Sequence, residues 1–190
     1  MLKLHVVIAS TRPGRVGPSV ADWFLELARA DQRFETLAVD LDEIDLPLLD
    51  EPNHPRLKKY ENEHTKRWSA IIDAADAFVF VTPEYNYSSA PSLLNALDYV
   101  YHEWKYKPAG FVSYGGASGG LRAVQMTKLP VSALGMMPLP EGVSIPFFAQ
   151  HRDESGKFVG TEGMQKAART MLDELARWAG ALKPLREPQS

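Results

Sequence analysis

Short, largely apolar runs alternate along this chain with longer stretches of helical spacing, and that alternation admits few architectures. The runs are Leu4 to Ala9, Phe34 to Leu41, Ala77 to Thr82, Ala109 to Ser113, and a fifth around Met136 to Ile145 that Pro138 and Pro140 interrupt. A run such as Phe78-Val79-Phe80-Val81 has no polar face, which suits a strand covered on both sides. Between the runs, Val20, Trp23, Phe24 and Leu27 recur at i, i+3, i+4 and i+7, and Trp68, Ile71, Ile72 and Ala75 repeat the pattern. Leu93, Leu94, Leu97, Val100, Tyr101 and Trp104 make a further stripe, and Met164, Ala168, Met171, Leu172, Leu175, Ala179 and Leu182 the last. A helix after the fourth run starts near Gly119 and meets Pro130, which should end or kink it. The Trp and Met residues on these faces read as core. The expected fold is α/β, an open, doubly wound, five-stranded parallel sheet with helices on both faces.

The 190 residues favour a single domain over 1–190, with a frayed tail from Pro184 onward. The acidic, proline-containing segment from Asp42 to Pro55 reads as a solvated surface connection. A formal charge of −3 supplies no basic field to hold nucleic acid or an anionic membrane. The absence of cysteine excludes disulfides, thiol nucleophiles and thiolate metal sites. His5, His54, His64, His102 and His151 show no i+3 or i+4 pairing, so no metal is expected. The first eight residues are too short an apolar stretch for a secretory signal, and no run of about 18 apolar residues exists to span a membrane. A cytoplasmic location is the expectation.

Doubly wound sheets bind ligands beyond the carboxyl ends of their strands. Three loops there carry unusual chemistry. The first, Ser10-Thr11-Arg12-Pro13-Gly14-Arg15-Val16-Gly17-Pro18-Ser19, places hydroxyls, arginines and glycines at a helix N-terminus. Free N–H groups and the helix dipole attract an anion there, hydroxyls can donate to phosphate oxygens, and arginines can add charge-assisted bonds. It lacks both the Lys-Ser/Thr ending of a P-loop and the G-x-G-x-x-G fingerprint. The second, Pro83-Glu84-Tyr85-Asn86-Tyr87-Ser88-Ser89-Ala90-Pro91, offers flat tyrosine faces and an amide, suited to a heteroaromatic ring. The third, Ser113-Tyr114-Gly115-Gly116-Ala117-Ser118-Gly119-Gly120, lets backbone approach a ligand closely and leaves N–H groups to face negative charge.

These three loops, with Asn95-Ala96-Leu97-Asp98 after Pro91, resemble in order and spacing the NADPH-dependent FMN reductase family, over roughly residues 1–145. That family is flavodoxin-like and includes chromate and quinone reductases and small azoreductases. The Pro-Glu-Tyr-Asn-Tyr-Ser motif is its most specific element. Ala9 departs from the glycine usual before the first serine, and Leu94 from a frequent lysine. The resemblance implies that Ser10, Thr11, Arg12, Arg15, Val16 and Gly17 surround the FMN phosphate. It implies that Pro83, Glu84, Tyr85 and Asn86 line the isoalloxazine ring, and that Ser113, Tyr114, Gly115 and Gly116 contact its other side and pyrimidine end. It implies NADPH or NADH as electron donor, and quinones, azo compounds or similar small molecules as acceptors in a ping-pong cycle. No protein side chain then acts as a catalyst, and the Gly115 and Gly116 amides are the expected partners of a reduced ring. A homodimer, or a tetramer, with ring pockets near the subunit contact is also implied.

Two other readings compete. Gly116-Ala117-Ser118-Gly119-Gly120 matches the G-x-S-x-G nucleophile elbow of hydrolases, with Glu141 and His151 the only acid and histidine in the required order. A flavodoxin-type electron carrier, or a flavin-binding redox sensor without NAD(P)H turnover, would use the same loops; carriers usually present a strongly acidic face, and −3 is modest.

Overall fold

The computed structural model describes residues 1–186; the tail residues 187–190 lie outside the described residues. Five strands form one all-parallel sheet, β1 (Leu2–Ile8), β2 (Phe34–Asp40), β3 (Ala77–Pro83), β4 (Pro108–Tyr114) and β5 (Met137–Ile145), in the order β2-β1-β3-β4-β5. The helices are α1 (Gly17–Arg29), α2 (Leu41–Ile44), α3 (Glu63–Ala74), α4 (Pro91–Asp98), α5 (Leu121–Ala133) and α6 (Glu162–Leu182).

Strand alternation divides the core in two. Ala77, Val79 and Val81 of β3 pack with α1 and α6, while Phe78 and Phe80 pack with α3, α4 and Trp104. The second layer is strongly aromatic: Trp104 lies 4.9 Å from Phe78 and 6.1 Å from Trp68 between ring centroids. Full burial of each such ring is worth roughly 1.5–3 kcal/mol.

Four local expectations change, three of them through distant contacts. The stripe from Leu93 to Trp104 is not one helix: α4 ends at Asp98 and a 3₁₀ turn covers His102–Trp104. Two indoles satisfy carbonyls of the last turn of α4, Trp68 Nε1 donating to Ala96 O at 2.9 Å and Trp104 Nε1 to Leu97 O at 3.1 Å. Pro130 does not stop α5, which runs on to Ala133; the carbonyl it leaves without a donor belongs to the exposed Met126. The segment after β2 is not a free loop. Asp40 caps α2 by accepting from Asp42 N, and Asn95 and Tyr99 donate to Pro47 O at 2.7 and 3.0 Å. Of the tail expected to fray from Pro184, the first three residues belong to a 3₁₀ turn, Lys183–Arg186, and Arg186 binds Asp76 at 2.6 Å.

His5 is buried on β1 beneath α3, and its pKa falls to about 4 through burial and then the nearby positive charges of Lys107 and Lys3. Its folded value lies below the unfolded value near 6.5, so its contribution is complete above pH 6.5 and is lost as pH falls towards 4. The loss is at most about 3 kcal/mol. We expect His5→Leu to reduce this acid sensitivity. Urea denaturation from pH 7.5 to 4 checks it: the wild-type midpoint should fall faster than the variant's, and parallel curves would contradict the assignment.

Candidate flavin site

The loops after β1 and β3 part company, because β1 leads to β2 on one side of the sheet and β3 leads to β4 and β5 on the other. A crevice opens at that switch point, at the carboxyl ends of the strands. Thr11, Asp42, Asp45, Leu46, Pro91 and Asn95 are among the residues that line a hollow of about 260 Å3 there. Another hollow, about 450 Å3 beside Asp76, Glu103, Lys107 and Arg186, lies at the opposite pole, where these groups serve structural pairings.

Three features converge where α1 begins. No side chain caps the helix at Val16, and the N–H groups of Val16, Gly17 and Ser19 find no acceptor among the described residues. The hydroxyls of Ser10 and Tyr114 are buried, in residues 1% and 5% exposed, without a well-formed hydrogen bond. Both face Gly17, where a Cβ would collide with Ser10 Oγ and stand 2.9 Å from the Tyr114 hydroxyl. Burial pushes the Tyr114 pKa up to about 12, so the phenol keeps its proton and remains a donor. Unpaired buried hydroxyls are costly, and an anion would satisfy both.

Thr11 and Arg12 are exposed at the rim, and the Arg12 guanidinium makes no hydrogen bond among the described residues. Arg15 behaves differently from the expectation of an anion ligand. Its guanidinium grips Asp40 through bonds of 2.6 and 2.8 Å, approaches Asp42 at 3.2 Å and donates to Ser10 O at 2.9 Å. It braces the loop against the end of β2, and its charge is already balanced.

Beyond β3, Tyr85 and Ser88 exchange two backbone bonds of 3.0 and 2.9 Å around Asn86 and Tyr87. Both central residues are left-handed, with φ of 49° and 69°. Asparagine tolerates that region; a tyrosine there is strained. The turn exposes the Asn86 amide and the Tyr87 ring, and the Arg122 guanidinium lies 3.6 Å from that ring's centroid. Pro83 is buried at the strand end. Glu84, expected beside a ring, is turned inward: its side chain is 6% exposed and accepts from Ser118 Oγ at 2.8 Å, Arg122 N at 3.1 Å and Arg122 Nε at 2.6 Å.

The glycine loop after β4 is held from below. Ser113 is buried and donates to Gly119 O at 2.8 Å, so its hydroxyl is committed to supporting the loop. Gly120, with φ of 84°, packs so closely that a Cβ would lie 2.7 Å from Ser113 Cβ and 2.9 Å from Tyr114 N. The Gly115 N–H is committed to Ile145 O at 3.2 Å, so of the two amides expected to face a reduced ring only Gly116 is free. Gly116 is exposed, with open space around its Cα. Ser118 donates to Glu84 and has no histidine partner among the described residues; His151 instead lies edge-on to Phe158 at 6.2 Å. The nucleophile-elbow reading is therefore not supported.

The sequence reading missed the loop after β5. Phe147 N and Phe148 N donate to Gly116 O and Gly115 O at 3.0 and 3.2 Å, docking this loop on the glycine loop. With Tyr114, Gly115, Gly116, Ala149 and Gln150 they line a hollow of about 420 Å3. Phe147 is left-handed and half exposed, an aromatic face presented at the rim. The available signal was position alone: β5 also ends at the carboxyl edge.

The donor set fits an aromatic ligand carrying a phosphate. Orphan hydroxyls and free amides meet at one helix N-terminus, and tyrosine, phenylalanine and glycine surfaces lie beside it. Residues 2–150 match the family model described as NADPH-dependent FMN reductase. The chain belongs to that family. It is 38% identical over 154 residues to an NAD(P)H-dependent FMN reductase of Schizosaccharomyces pombe, covering 80% of this chain and 75% of that one. It is 33% identical over 182 residues to a quinone reductase of Pseudomonas putida, covering 91% and 92%. FerB of Paracoccus denitrificans, a flavoenzyme NAD(P)H:(acceptor) oxidoreductase, superimposes with a TM-score of 0.76 at 24% identity over 96% of this chain and 99% of its own. That likeness shows a flavodoxin-like fold. Membership in the FMN reductase family makes the protein an oxidoreductase.

Proposed function

We propose that this FMN reductase family member takes electrons from NAD(P)H and delivers them to quinones, azo compounds or similar small acceptors by alternating turnover at one site. When bound, FMN supplies the two-electron chemistry, receiving a hydride from the nicotinamide and releasing the electrons to the acceptor. The observation that carries the reading is the pair of unsatisfied buried hydroxyls, Ser10 and Tyr114, over the uncapped start of α1.

The chain's own residues bind and orient. Ser10, Tyr114 and the N–H groups of Val16 and Gly17 hold the phosphate, and Arg12 adds charge from the rim. Asn86, Tyr85 and the Gly116 amide border the ring, and the free Gly116 N–H favours negative charge there. Phe147 offers a flat apolar contact to aromatic acceptors.

A second copy of the chain completes the proposal. Leu121, Met126 and Leu129 of α5 are exposed apolar side chains on the helix that follows the glycine loop, and the exposed Tyr87 stands beside Arg122 of the same helix. Such a surface suits burial in a homodimer that brings the partner close to the ring.

Anaerobic mixing of the FMN-loaded protein with NADPH, and separately with NADH, tests turnover. Flavin absorbance should bleach within seconds with at least one donor and return on addition of a quinone. No bleaching over minutes with either would favour an electron carrier or sensor.

A further inference from the structure

Glu84 carries a buried negative charge directly behind the glycine loop. Its Cβ lies 3.8 Å from the place a Cβ on Gly115 would occupy, and its backbone N–H donates to Tyr114 O at 3.3 Å. Burial alone would raise this carboxyl's pKa, but the bonds from Arg122 and Ser118 outweigh it and hold the group below the usual carboxylate range. The charge is therefore present at neutral pH. Its only cationic partner among the described residues is Arg122, which also donates to Ser118 Oγ at 3.1 Å and stacks on Tyr87. One guanidinium thus joins the acid behind the loop, the serine within the loop and the strained tyrosine turn facing it.

We propose that Arg122 is a positioning and charge-balancing residue: by neutralising Glu84 and fixing Ser118 and Tyr87, it sets how easily the flavin bordered by these loops is reduced. The inference rests on the FMN reading above. An uncompensated carboxylate behind Gly115 would oppose the extra negative charge of reduced flavin, so the ion pair removes a penalty that the buried acid would otherwise impose. A lysine could restore the charge but not the forked bonding or the planar stack.

The test is the midpoint potential of bound FMN, measured at pH 8 in wild type, Arg122→Met, Arg122→Lys and the double variant Glu84→Gln/Arg122→Met. Arg122→Met should weaken binding of reduced relative to oxidised FMN about tenfold, a potential lower by about 30 mV for a two-electron couple. The double variant lacks both charges and should return to within about threefold of the wild-type ratio, while Arg122→Lys should keep most of it. A double variant shifted as far as Arg122→Met would mean that Arg122 acts only by shaping the loop, and an unchanged potential in Arg122→Met would remove any role; either overturns the proposal. If the wild-type chain binds no FMN, the functional reading fails instead, and the two failures are distinct.

Discussion

Ser10→Asp should leave the protein folded and strip it of FMN. The substituted carboxylate would lie among the N–H groups of Val16 and Gly17 and beside the Tyr114 hydroxyl, which find no acceptors among the described residues. An acid at a helix N-terminus is favourable, so the apo protein should melt no earlier than the wild type by more than a few degrees. Against a bound phosphate the same charge is repulsive. Two unit charges 4 Å apart at an effective dielectric of 20 oppose each other by about 4 kcal/mol, close to a thousandfold in affinity, and salt reduces this. We expect at least a hundredfold loss of FMN affinity by fluorescence titration. Stoichiometric flavin in the purified variant would refute the phosphate assignment.

Gly120→Ala should damage both stability and site. The residue holds φ at 84°, which costs an L-residue about 1–2 kcal/mol, and the new methyl would stand 2.7 Å from Ser113 Cβ and 2.9 Å from Tyr114 N. Backbone cannot yield there without moving the end of β4, at roughly 1–3 kcal/mol more. The combined loss of about 2–5 kcal/mol should appear in urea denaturation, with weaker FMN binding beside it. Gly116→Ala is the control, since nothing lies within 4 Å of its added methyl; its stability should change by less than about 0.5 kcal/mol. Equal effects at the two positions would contradict the loop geometry.

The sheet was legible because β3 and β4 are covered on both faces, and continuous apolar runs have few other uses. The loop before α1 stood out as a candidate anion site because a helix start with hydroxyls and glycines has local physics. What escaped was non-local. The end of α4 is set partly by the indole of Trp68, 28 residues before the carbonyl it caps. Arg15 reads as an anion ligand until β2 brings Asp40 to it. Glu84 reads as a ring contact until the loop after β4 folds Ser118 and Arg122 onto its carboxylate. Phe147 and Phe148 gain meaning only when β5 pairs with β4 and sets their loop against Gly115 and Gly116. The motifs pointed to the candidate site, and tertiary contacts redistributed the expected roles within it.

A phosphate, not merely a flavin ring, is expected to be held where α1 begins. Calorimetric titration of the apo protein with FMN and with riboflavin tests it most directly, since the two ligands differ only in that group. FMN should bind at least a hundredfold tighter, and this advantage should shrink as salt rises. Equal affinity for the two would contradict it.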